Sequence, residues 1–148
     1  MQEMNTKHFF FIVCTLPFQR GGTFSFLVSF DAKARRLFRD SVNFFQNGKI
    51  LASAVINQLQ VDVYADCDWQ YKAPDSEVTV LHTLAVSPSQ LRCGIGRRFV
   101  EFYENYARES GCTVLRMDTN AKNAEARAFY KRLGYREAGI APCIFNGI

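Results

Sequence analysis

The stretch "QLRCGIGRRFVEFYENYAR", residues Gln90 to Arg108, sets Gly94 and Gly96 inside a basic cluster and runs straight into an amphipathic helix pattern. A strand, a short loop, glycines and a helix start form the arrangement that binds phosphate. The first N–H groups of a helix have no intrahelical partner, converge on one spot and lie at the positive end of the helix dipole. Glycine lets the backbone approach a ligand closely. Arg92, Arg97 and Arg98 add long-range attraction and the option of bidentate contacts. The spacing differs from the dinucleotide GxGxxG and from the GxxxxGK[ST] phosphate loop, and an ordinary helix start with solvated arginines accounts for two glycines equally well. The neighbours of this stretch have to decide.

Working outward, strands and helices alternate. "FFFIVCTL", Phe9 to Leu16, reads as a buried strand; it is too short for a signal core, stops at Pro17 and lacks a small-residue cleavage site. Gly21 to Thr23 reads as a turn, and "DAKARRLFRDSVNFF", residues 31–45, as a helix begun by an Asp cap. Asn47-Gly48 is the strongest hairpin signal and leads into the strand "KILASAVINQLQV". Tyr64 to Ser76 reads as loop, with Pro74 barring a central strand. "EVTVLHTLAV", Glu77 to Val86, is a buried strand that ends at Pro88. The helix from about Gly96 to Glu109 carries Phe99, Phe102, Tyr103 and Tyr106 on one face and is closed by Gly111. "CTVLRMD" is another buried strand, "AEARAFYKRL" a second helix stopped by Gly134, and "YREAGI" opens a last strand.

Composition narrows the classes. A chain of 148 residues, 48% hydrophobic, forms one domain with a real core, neither disordered nor membrane-spanning. A net charge of +4, from 18 basic and 14 acidic residues, is too mild to argue for nucleic acid and suits a small anionic ligand. A nucleic-acid surface built on "RCGIGRR" also lacks a basic helix face, since Glu101, Glu104 and Glu109 follow at once. Five scattered cysteines without CxxC or Cys/His spacing point to a reduced, cytoplasmic protein without a metal site.

Two motifs in order carry a specific resemblance. "LHTLAVSPSQLRCGIGRRFVEFYENYA" followed by "LRMDTNAKNAEARAFYKRLGYREAG" resembles the GNAT superfamily of acetyl-CoA-dependent N-acetyltransferases. That family's loop, Q/R-x-x-G-x-G/A after a strand and a proline, matches at Gly94 and Gly96 behind "LAVSP". Its second signature, an Asn, an Ala and a Tyr before "LGF/Y", matches Asn123, Ala126, Tyr130 and "LGY" at Leu133 to Tyr135. The likeness covers residues 77–139, the cofactor-binding core, and extends back to Asn47. Two departures stand out. Leu91 occupies the Q/R position, where Arg92 is the substitute, and residues 1–46 lack the family's usual opening, which obscures the acceptor.

The resemblance implies an α/β (α+β) fold: a mixed, mostly antiparallel sheet flanked by helices and splayed between "LHTLAV" and "TVLRMD". Acetyl-CoA would lie in that splay, its pantetheine arm paired to the backbone of Leu84, Ala85 and Val86. Its pyrophosphate would sit on N–H groups from Arg92, Cys93, Gly94, Ile95, Gly96 and Arg97, with Arg98 adding charge. The implied reaction moves acetyl to the primary amine of a small molecule or peptide by direct attack; the alternative is an acyl-CoA-binding module without efficient turnover. Tyr130 is the family's usual acid for the departing thiolate, or else a core aromatic. An amine must lose a proton, so a base is needed. His82 is one candidate, since histidine is the side chain that ordinarily changes charge near neutral pH, or else is a packing residue; Glu77 and Asp75 are alternatives acting through water. Asn123 caps its helix and in the family pattern also orders the cofactor side. Tyr64, Trp69 and Tyr71 line an acceptor pocket or pack their loop. No nucleic-acid or membrane partner is implied, and a homodimer stays open.

Overall fold

The computed structural model describes the backbone of residues 7–14, 26–28, 41–60 and 62–143, and the side chains of residues 41–141 apart from 61 and 63. The turn expected at Gly21 to Thr23 and the helix expected at 31–40 lie outside these residues. Among the described residues, seven strands form one sheet: β1 (Lys7–Cys14), β2 (Phe26–Val28), β3 (Ser41–Gln46), β4 (Lys49–Asn57), β5 (Val78–Val86), β6 (Val114–Asn120) and β7 (Arg136–Cys143). Their order across the sheet is β2-β3-β4-β5-β6-β1-β7. Only β5 and β6 pair in parallel; every other pair is antiparallel. Helix α1 (Ile95–Glu109) connects β5 to β6, and α2 (Ala124–Arg132) connects β6 to β7. The expected mixed, mostly antiparallel sheet flanked by helices is what the chain forms.

The β3–β4 hairpin turns at Asn47 and Gly48 with φ of 51° and 74°, the left-handed pair that an Asn-Gly turn needs. Ser41 to Phe45, expected as the tail of a helix, is strand instead. Val42 and Phe44 are buried and their neighbours less so, a period of two that fits β3 and not a helix.

The sheet is buried on both faces. On one, α1 lays Ile95, Phe99, Val100 and Tyr103 against Leu51, Ala52, Leu81 and Met117, and Tyr130 and Tyr135 join the same cluster. Tyr106, expected on that buried stripe, is 38% exposed, because the apolar face turns toward Val100 and Ala107. The opposite face carries Val78, Val80, Val114, Ala138 and Ala141 under Tyr64, Cys67, Trp69 and Ala73. The segment read as loop therefore begins with a 3-10 turn, Asp62–Asp66, whose Tyr64 plugs this second core. Tyr103 crosses between the layers: its hydroxyl lies 2.7 Å from both Thr79 O and Arg116 O, in position to donate to either carbonyl.

Candidate active site

The parallel pairing of β5 with β6 runs from Val78/Val114 to Leu81/Met117 and stops there. Both strands continue, β5 to Val86 and β6 to Asn120, so the sheet opens into a gap after Leu81. On its far side β5 stays paired to β4, Ser53 with Ala85 and Ala52 with Val86. Among the described residues, the edge from His82 to Val86 therefore has no strand partner on the side of the gap; this edge includes Leu84, Ala85 and Val86, the residues expected to meet the pantetheine arm.

A bulge opens the gap. Thr83 and Leu84 together stand opposite Ala54, and Thr83 has φ of 52°. A β-branched residue in the left-handed region is a strained outlier, of order 1–3 kcal/mol, and such strain concentrates at functional sites. Plain alternation keeps His82 on the face of Val78 and Val80; past the bulge the alternation inverts, and Leu84 and Val86 pack with Leu81 on the α1 face.

The gap ends at the cradle. After Pro88–Gln90 the backbone takes left-handed conformations at Arg92 (φ 63°) and Gly94 (φ 78°), and Gly94 begins α1 without a side-chain cap. The first helical bond formed is Arg98 N–H to Gly94 O, which leaves the N–H groups of the first turn without helical partners. Cys93 N–H turns back to Gln90 O at 3.3 Å, so the converging donors are those of Gly94 to Arg97. The two glycines do different jobs. Gly94 supplies the left-handed turn, whereas a Cβ on Gly96 would lie 3.3 Å from Phe129 Cζ, so Gly96 lets α2 approach the start of α1. Exposed Arg92 stands 3.7 Å from Glu125 on α2, and Arg97 pairs with Glu101 at 3.3 Å. Leu91, at the Q/R position, is 57% exposed and has no hydrogen-bonding side chain. Asn123 caps α2, its Oδ1 accepting from Ala126 N–H at 3.0 Å.

At the mouth of the gap four side chains form a chain of hydrogen bonds. Asp118 Oδ2 lies 2.6 Å from His82 Nδ1 and accepts from the Tyr64 hydroxyl at 2.7 Å. His82 Nε2 lies 3.1 Å from Asn57 Oδ1. That Asn57 oxygen already accepts from Leu59 N–H at 3.0 Å, which fixes it as an acceptor and requires Nε2 to carry a hydrogen. Both ring nitrogens are thus engaged, Nε2 donating to Asn57 and Nδ1 facing Asp118 Oδ2. Asp118 keeps Oδ1 outside these bonds. Sequence reading missed Asp118. Its signal was a lone carboxylate ending the apolar run "CTVLRMD", and its partner His82 is 36 positions away.

Tyr130 sits on the α1 side of the sheet, 3% exposed. Burial, with a smaller push from the charge of Asp118, raises its hydroxyl well above the usual tyrosine range. Glu77 is not brought to this site. Its carboxylate accepts from Thr113 Oγ1 at 2.9 Å before β5 begins, seven residues from Leu84, roughly 20 Å at strand spacing. Trp69, 5.9 Å edge-on from Tyr64, donates Nε1–H to Tyr64 O at 2.6 Å and fastens the loop over the second core.

The chain is similar to known proteins. The family model "Acetyltransferase (GNAT) family" matches residues 11–135. The ribosomal protein bS18-alanine N-acetyltransferase of Escherichia coli is 35% identical over 95 residues, 64% of this chain and 53% of that protein. An uncharacterized N-acetyltransferase of Methanocaldococcus jannaschii is 32% identical over 78 residues, 53% of this chain and 34% of that one. The chain spans about a third to a half of the length of these curated relatives. A solved GNAT-family protein of Novosphingobium aromaticivorans is like it in fold, with a TM-score of 0.66 at 11% identity over 93% of this chain and 63% of that one. With a splayed sheet, a left-handed turn into α1 and a family match running from β1 to Tyr135, the chain belongs to the GNAT acetyltransferase family.

Proposed function

We propose that this chain transfers acetyl from acetyl-CoA to a primary amine by direct attack in a ternary complex. The observation that carries the reading is the gap after Leu81/Met117, which joins the helix-start cradle at one end to Asp118 at the other. When bound, acetyl-CoA supplies an electrophilic thioester carbon and a thiolate leaving group. The N–H groups from Gly94 to Arg97 hold its pyrophosphate, Arg92 and Arg97 exchange their carboxylate partners for phosphate, and Arg98 adds charge. The free β5 edge from Leu84 to Val86 holds the pantetheine arm and offers N–H groups to the acetyl oxygen. Asp118 Oδ1 takes the amine proton as the new C–N bond forms and the C–S bond breaks. His82, Asn57 and Tyr64 position that carboxylate, so the base expected at His82 shifts to its partner. The Escherichia coli relative, named for acting on an alanine of a ribosomal protein, places a peptide N-terminus among the acceptors to try beside small amines.

Acetyl-CoA at 100 times its dissociation constant is expected to stabilise the fold by about 2.7 kcal/mol, and an amine panel that includes an N-terminal alanine peptide to release free thiol. No thermal shift at millimolar acetyl-CoA sinks the reading. A shift without thiol release from any amine supports instead the binding module without turnover, which Leu91 in the cradle favours.

Tyr130 acts on the thiolate in a way set by its raised acidity constant. A thiol titrates near ~8.5 and an ordinary tyrosine near ~10. A hydroxyl held still higher does not give up its proton fully to sulfur; it stabilises the thiolate by a hydrogen bond, on the order of 1.5–3 kcal/mol to a charged group. Tyr130→Phe is therefore expected to lose about tenfold to a hundredfold in turnover, evenly from pH 6 to 9, with unchanged acetyl-CoA affinity. A loss that fades toward the thiol's own pKa would show full proton transfer instead. Turnover equal to the parent would leave Tyr130 a packing residue.

A further inference from the structure

Arg116 is a buried cation that the chemistry above does not use. It lies on β6 two residues before Asp118, so both side chains project from the face of Val114, about 7 Å apart along the strand. Only 8% exposed, it has no carboxylate within ion-pair distance among the described residues. Its Nη1 donates to Gln60 Oε1 at 2.6 Å, and its Cζ stands 4.0 Å from the centre of the Trp69 ring. Its Nε is sealed from solvent and has no hydrogen-bond partner among the described residues. The charge of Asp75 acts on it from beyond ion-pair distance, but burial outweighs that charge, and a hydrogen bond to an amide and an aromatic face compensate only in part. With Nη1 taken by Gln60, the edge formed by Nε and Nη2 remains, and such an edge matches the two oxygens of a carboxylate.

We propose that the acceptor is an amine that also carries a carboxylate, bound through this Nε/Nη2 edge of Arg116 while its nitrogen stands at Asp118. The proposal rests on the acyl-transfer reading above and adds the substrate class. Because Nε is sealed, a docking carboxylate must shift the Trp69 cover. Trp69 is the chain's single tryptophan, so its fluorescence reports docking without any turnover.

The test titrates the protein, with coenzyme A present, with glycine, β-alanine, 4-aminobutanoate and 6-aminohexanoate, each against its amide. At least one acid is expected to change Trp69 fluorescence saturably at a concentration tenfold or more below its amide. In thiol-release assays the same acid should be preferred through KM rather than kcat. Arg116→Gln should erase the difference between acid and amide, and Arg116→Lys should restore part of it. The comparison of acid with amide on the parent protein stands even if a variant folds poorly. Equal responses to acid and amide, no response to any acid, or unchanged discrimination in a folded Arg116→Gln would each overturn the proposal. An acetyl-CoA thermal shift in the same samples reports separately on the acyl-transfer reading.

Discussion

Asp118→Asn is expected to lower turnover by about two to four orders of magnitude, the range associated with a positioned general base. The substitution keeps the shape of the side chain and an oxygen for His82 and Tyr64, but it removes the oxygen that takes the amine proton. Acetyl-CoA should stabilise the variant as it does the parent, because the cradle lies at the other end of the gap. His82→Gln separates the base from its support. Losing only the contact that holds Asp118 at 2.6 Å, it should fall less far in turnover than Asp118→Asn. If His82→Gln instead falls by about two orders of magnitude or more while Asp118→Asn keeps more than a tenth of parent turnover, the imidazole is the base.

Gly94→Val should remove most of the acetyl-CoA stabilisation, a loss of roughly 5–10 °C in thermal shift for a chain of this size at saturating ligand. A Cβ at Gly94 meets nothing within 4 Å, so the unliganded protein has no clash to relieve. The penalty is in the backbone. At φ of 78° an ordinary residue pays about 1–2 kcal/mol, and a β-branched one more, which favours a rotated start to α1 and turns its N–H groups off their common focus. Scanning calorimetry with and without acetyl-CoA reads this directly. An undiminished shift in Gly94→Val would place the pyrophosphate elsewhere.

The half of the chain from Glu77 to Gly139 was legible because its signals are local. Gly94, Asn123, Gly134 and the Asn47-Gly48 turn each sit where a backbone angle or a cap demands that residue. The rest depended on neighbours far away in sequence. Nothing in "SVNFFQ" distinguishes a strand from the end of the preceding helical pattern until β2 and β4 flank it. Thr83 gave no warning of its bulge, since threonine is a poor choice for a positive φ and is held there by the surrounding pairing. The proposal of Asp118 beside His82 needed Asn57 and Leu59, whose hydrogen bonds make Nε2 a donor and turn Nδ1 toward the carboxylate. A histidine looks like a base in any sequence; only the fold shows which groups its two nitrogens face.

Strand β1 lies between β6 and β7, pairing Phe9 with Asn120 on one side and with Ala141 on the other. It leaves the ribosome more than a hundred residues before either partner. At ~5–20 residues per second that is a wait of roughly 5–20 s. Through that interval an apolar segment, "FFFIVC", has both hydrogen-bonding edges open, the condition under which strands pair with the wrong chain. Such distant pairing also places this protein among slow folders. Yield in cells should therefore depend on chaperone supply and growth temperature more steeply than the stability of the finished fold would suggest.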